Sequence, residues 1–235
     1  MSFNVKIFAD GADIDDMRRL NADPGISGLT TNPTLMKKAG IKNYEKFCRE
    51  ALEFVTVKPI SFEVFSDDFE EMERQAKLIS TWGGDNIYVK IPVMNTKRET
   101  AYSTVQKLSD IGIKINATAV FTKSQIEGLC QSINIDVDSY ISVFAGRIAD
   151  TGVNPLKFID FAVEKSKLFP KCEIIWASPR EAYNIVEANN AGCHIITVTP
   201  DLIKKMEKFQ FDLEEYSLET VQMFYRDAST AGYKL

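Results

Sequence analysis

Ile87-Tyr88-Val89-Lys90-Ile91-Pro92 is a run of strand-favouring apolar residues broken by one lysine. It is too apolar to lie on a wet edge, so it reads as a buried strand that carries a single charge. Seven runs of the same kind accompany it, at residues 5–9, 27–30, 60–64, 114–118, 140–144, 173–177 and 194–198. Amphipathic stretches lie between them, among them residues 43–55, 68–81, 97–111 and 155–169. Helix starts are marked by Asp13 before Ile14, by Thr122 with Gln125 three residues on, and by Asn154-Pro155.

The strand candidates recur roughly every 27 residues, the length of one β-α unit, and eight such units fill a chain of this size. The spacing therefore predicts an α/β fold, a (β/α)8 barrel forming one domain over residues 1–235. No linker rich in Pro, Gly or Ser divides the chain. A doubly wound open sheet is the structural alternative. Beyond the eighth unit, Leu218, Val221, Phe224 and Tyr225 recur at helical spacing, predicting a tail helix over residues 217–229. Its apolar face needs a surface to cover, either its own barrel or a neighbouring subunit.

Composition narrows the function. The net charge of −5 argues against nucleic acid, because binding a phosphate backbone takes a basic face. The basic pairs Lys37-Lys38 and Lys204-Lys205 read as solvated helix surface. No apolar run reaches the roughly 20 residues that span a bilayer. The first six residues (Met1 to Lys6) lack the basic and then apolar layout of a signal peptide, so a cytoplasmic location is expected. Cys48, Cys130, Cys172 and Cys193 are far apart and read as reduced thiols, and His194 is the only histidine. No metal set and no cofactor motif is visible.

Polar residues stand at or near the carboxyl ends of most strand candidates: Asp10, Thr30 to Asn32, Glu63, Lys90, Asn116 with Thr118, Ser142, and Ser178 just past the seventh. Barrel active sites are built at these ends. A ring of polar groups at one depth is hard to obtain by chance, since burying each unpaired costs about 1–3 kcal/mol. Lys90 has two readings. It is either a strand-end lysine whose ammonium snorkels to solvent, or a buried amine poised to attack a ketone. Asp10 and Glu63 supply carboxylates for the proton transfers that Schiff-base chemistry needs, or they cap and pair at strand ends. Arg147, Ser178 and Arg180 follow the sixth and seventh strands, where barrel phosphate sites often lie, or they form surface ion pairs.

Five segments then carry a resemblance: Phe8-Ala9-Asp10, Gly28-Leu29-Thr30-Thr31-Asn32-Pro33, Val89-Lys90-Ile91-Pro92, Ile115-Asn116-Ala117-Thr118 and Ser142-Val143-Phe144-Ala145-Gly146-Arg147. In this order they resemble the signature strands of transaldolases, and Ala177-Ser178-Pro179-Arg180 extends the match. The resemblance implies a transferase acting on sugar-phosphate substrates such as those of the pentose phosphate pathway, with no cofactor. Lys90 would form the imine with the donor ketone, and Glu63 and Thr118 would activate the water. Asp10 would carry the proton of the C4 hydroxyl. Asn32, Asn116 and Ser142 would hold the dihydroxyacetone unit, and Arg147, Ser178 and Arg180 the phosphate. Short members of the family often form decamers, so a homo-oligomer is implied.

The related fructose-6-phosphate aldolases typically have glutamine at position 63 and tyrosine at 144. Glu63 and Phe144 follow the transaldolase pattern instead. Gly11, Val143 and the segment from Val93 to Arg98 differ from the usual family residues. An aldolase-like lyase, a modified ketose donor such as a sulfonated one, and a non-catalytic sugar-phosphate binding barrel are the alternatives.

Overall fold

Eight strands run parallel, each beside the next in sequence, and the last pairs with the first to close a barrel in the computed structural model, which describes residues 3–234. Met1, Ser2 and Leu235, part of the amino-terminal segment and of the domain read above, lie outside the described residues. The strands are β1 (Lys6–Asp10), β2 (Gly28–Thr30), β3 (Ile60–Glu63), β4 (Ile87–Pro92), β5 (Ile115–Val120), β6 (Ser139–Val143), β7 (Cys172–Trp176) and β8 (Ile195–Val198). Closure through β1 and β8, with Phe8 opposite Thr197, excludes the open sheet.

The helices are α1 (Ile14–Ala22), α2 (Pro33–Lys38), α3 (Tyr44–Leu52), α4 (Phe69–Ser80), α5 (Tyr102–Asp110) and α6 (Lys123–Ser132). After β6 come α7 (Ala145–Ala149), α8 (Leu156–Ser166), α9 (Asn184–Asn190), α10 (Pro200–Lys205) and α11 (Leu213–Ala231). The start signals act as their chemistry requires. Asp13 caps α1 by accepting from the Asp16 amide, and Thr122 and Gln125 form a reciprocal capping box on α6.

Two helix starts differ from the sequence reading by more than one residue. Residues 97–101 are a turn rather than helix, because the Asn95 side chain accepts from the Lys97 and Glu99 amides and Arg98 sits at φ 67°. The tail helix starts at Leu213, four residues earlier than expected. Asp212 caps it through the Glu214 and Glu215 amides, while the apolar spacing becomes regular only from Leu218.

Inside the barrel, Phe8, Tyr88 and Tyr140 are buried together with Ile175, Ala177 and Ile195. Tyr88 stacks on Tyr140 at 4.0 Å between ring centroids, and Phe8 meets Tyr140 edge-on at 5.8 Å. Burying each ring stabilises the fold by roughly 1.5–3 kcal/mol. Gly28 makes the room: a Cβ there would lie 2.6 Å from the Phe8 ring. Since residues two apart share a strand face, this aromatic layer lies one step below Asp10, Lys90 and Ser142. It is the floor of the site.

Candidate active site

At the carboxyl ends of the strands a cleft of about 520 Å³ opens, lined by Asp10, Asn32, Glu63, Lys90, Thr118, Ser142, Arg147, Ser178 and Arg180, among others. Nine of the ten residues singled out from sequence meet there. The tenth, Asn116, is fully buried and is not part of the lining. Its amide donates to Ser61 Oγ at 3.0 Å and accepts from Ser142 Oγ at 2.7 Å, so it orients Ser142 from behind.

Lys90 is only 6% exposed, so it does not snorkel to bulk solvent. Its Nζ donates to the Thr31 carbonyl at 2.8 Å and lies 3.3 Å from Glu63 Oε2. Strand register produces this pairing, since Glu63 stands opposite Lys90 on β3 and β4, and Lys90 opposite Asn116 on β4 and β5. The amine, a proton acceptor and the cleft are thus in contact.

Thr118 is 2% exposed, and its Oγ1 has no hydrogen-bond partner among the described residues. A buried hydroxyl left unpaired is costly, and this one lines the cleft, where it can bond a polar group that enters. Just beyond it, the register of β5 against β6 shifts and Ala119 takes φ 57°. A bulge beside a site re-aims side chains.

Asp10 accepts from Thr30 Oγ1 at 2.9 Å and from Asn32 Nδ2 at 3.4 Å. Burial pushes its carboxyl above the usual carboxylate range, opposed by the Lys90 ammonium and by the bonds from Thr30 and Asn32. Asn32 also caps α2 by accepting from the Leu35 amide, with Pro33 at the first helical position. The cap holds its Nδ2 toward Asp10.

At the rim the charges are positive. Arg147 lies with its Cζ 5.8 Å from the Phe144 ring centroid. Ser178 is presented by a backbone at φ 60°. Arg180 forks onto Asp150, with Nε donating to Oδ1 at 3.0 Å and Nη2 to Oδ2. The surface ion pair read as its alternative role is therefore present, in a residue that also lines the cleft. Lys38 at the end of α2 is exposed, as its reading as solvated helix surface expected, and it also lines the cleft.

Thr197 was not foreseen either, although it lies on the inward face of β8 beside Thr30. His194 lies at the opposite end of the barrel, where its Nδ1 accepts from the Ile174 amide at 3.0 Å. Burial lowers its pKa. All four cysteines are free and buried.

The arrangement of a buried amine, two carboxylates and a cationic rim suits a substrate with a carbonyl end inside and an anionic end outside. A family model described as transaldolase/fructose-6-phosphate aldolase matches residues 7–235. The chain belongs to that family. A probable transaldolase from Thermoanaerobacter sp. (strain X514) is 34% identical, across 98% of this chain and 100% of its own length. One from Nitrosopumilus maritimus (strain SCM1) is 32% identical over 92% of each chain. One from Streptococcus equi subsp. zooepidemicus (strain MGCS10565) is 36% identical over 86% of this chain and 90% of its own.

Among solved structures, a monomeric dihydrodipicolinate synthase variant superposes with a TM-score of 0.61 at 16% identity, covering 97% of this chain and 80% of that one. An HpcH/Hpal aldolase/citrate lyase family protein from Burkholderia cenocepacia J2315 gives 0.59 at 9%, covering 93% and 95%. At such identities the likeness is one of fold, a barrel that this transaldolase-family chain shares with both proteins.

Proposed function

We propose that the chain is a transaldolase that moves a dihydroxyacetone unit from fructose 6-phosphate or sedoheptulose 7-phosphate to an aldose phosphate, through an imine on Lys90. The contact between Lys90 Nζ and Glu63 inside the cleft carries this reading. The amine adds to the C2 ketone, and Glu63 with a water at Thr118 moves the protons as hydroxide leaves as water. Asp10 then takes the proton of the C4 hydroxyl. The C3–C4 bond breaks and its electron pair passes into the iminium, giving an enamine and a free aldose phosphate. An acceptor aldehyde enters, the enamine carbon attacks it, and Asp10 returns the proton to the new hydroxyl. Water and Glu63 then hydrolyse the imine. Arg147, Ser178 and Arg180 hold the phosphate at the rim.

Transfer is preferred over simple cleavage because Phe144, which lines the cleft, has no hydroxyl to direct water onto the three-carbon intermediate. With fructose 6-phosphate as donor, release of glyceraldehyde 3-phosphate is expected to depend on added erythrose 4-phosphate. Equal release without any acceptor would make the protein an aldolase-like lyase.

The reading extends to assembly and location. None of the described side chains of α11 is buried, and Leu213, Leu218, Val221, Phe224 and Tyr225 are exposed along it. An apolar helix face of this size is stabilised by covering, here by a second copy of the chain in a homo-oligomer. Sedimentation should give the mass of several protomers for the full chain and of one after residues 213–235 are removed. A monomeric full chain would contradict this. The cytoplasm, where sugar phosphates are formed, is the expected location. Among the described residues no helix is long and apolar enough to cross a membrane.

A further inference from the structure

We propose that Thr197 is a positioning residue for Asp10, acting through Thr30. The inference rests on the assignment of Asp10 as the proton carrier. Thr30 Oγ1 lies 2.9 Å from Asp10 Oδ1 and is hydrogen-bonded to Thr197 Oγ1. A carboxylate only accepts, so the single hydroxyl proton of Thr30 points to Asp10. Thr197 must then donate to Thr30. While Asp10 is ionised, the chain therefore runs from Thr197 to Thr30 to Asp10.

Its place in the fold keeps it dry. β1 is flanked by β2 and β8, Asp10 is opposite Thr30, and Thr197 is opposite Phe8. Thr30 is 2% and Thr197 6% exposed. In such surroundings one hydrogen bond polarises the next, so donation by Thr197 strengthens the bond that steadies ionised Asp10. When Asp10 takes up the substrate proton, its O–H becomes a donor. The chain can then reverse without gaining or losing a proton, leaving the Thr197 hydroxyl free to donate into the cleft that it lines.

The charged groups facing that cleft are Lys90 from β4, Glu63 from β3, Lys38 from α2, Arg147 from α7 and Arg180 from the segment after β7. Thr197→Val keeps the shape of the side chain and leaves all of them in place. Without its donor, Thr30 steadies the carboxylate less. The acid limb of kcat/KM for transfer is then expected to move to higher pH, on the order of half a unit. Trapping of the Lys90 adduct by borohydride should keep the parent rate, and Thr197→Ser should restore the parent profile. A superimposable profile would overturn the proposal, and so would a raised KM with the limb unmoved, which would make Thr197 a substrate contact. If the unmodified protein itself fails to trap substrate at Lys90, the assignment of the site falls first, and this inference with it.

Discussion

An Asp10→Asn variant is expected to stall with the intact ketose joined to Lys90. The substitution preserves size, and Lys90, Glu63 and Thr118 remain to form the imine. An amide cannot accept the C4 proton, so the C3–C4 bond has no route to break. The loss in kcat should be about 10²- to 10⁴-fold, the usual share of a positioned general base. Borohydride should then reduce a six-carbon adduct onto the Lys90 peptide. Accumulation of a three-carbon adduct at the parent rate would assign the proton transfer to another group.

The same assignment fixes the sign of the pH dependence. Burial raises the Asp10 carboxyl above the usual range, against the pull of Lys90 and of the Thr30 and Asn32 bonds. The base works only when ionised. Activity of the parent should therefore fade, as pH drops, before ordinary carboxylates are protonated.

Gly146→Ala should damage both stability and phosphate binding. A Cβ at this position would lie 1.6 Å from the Ser178 carbonyl oxygen and 3.4 Å from Arg180 Cγ. The nearer atom is backbone, so no side-chain rotation relieves the contact. Helix α7 and the segment after β7 touch here, with the Gly146 amide donating to the Ala177 carbonyl at 3.4 Å. Separating them displaces Ser178 and Arg180 together. Overpacking of this kind costs about 3 kcal/mol, which for a chain of this size lowers Tm by roughly 6–12 °C. The KM for phosphorylated substrates should rise with it. An unchanged melting curve would mean that the two segments separate without strain.

The barrel was legible because its signals are local and repeated. Strand-forming runs, helix caps and a steady spacing all point to the same fold, and the strand bounds agree within two residues. The site was legible for a related reason: polar residues at one end of apolar strands have few places to go other than a shared cleft. What the sequence concealed depends on contacts between distant segments or on single backbone angles. Residues 97–101 look helical by spacing, yet the Asn95 side chain turns them. Ala119 carries no mark of its left-handed backbone or of the register shift there.

Lys38 reads as half of a basic surface pair, and it also lines the cleft from the last turn of α2. Thr197 gains its partner through closure of β8 onto β1 and β2. Asn116 reads as a substrate contact, but the hydroxyls of Ser61 and Ser142 occupy its amide.

Every proposed step passes through an imine on Lys90, which peptide mass spectrometry detects after the protein is mixed with fructose 6-phosphate and borohydride. A reduced three-carbon adduct is expected on the Lys90 peptide and absent from Lys90→Met. An adduct on a different lysine, or turnover that survives in Lys90→Met, would contradict it.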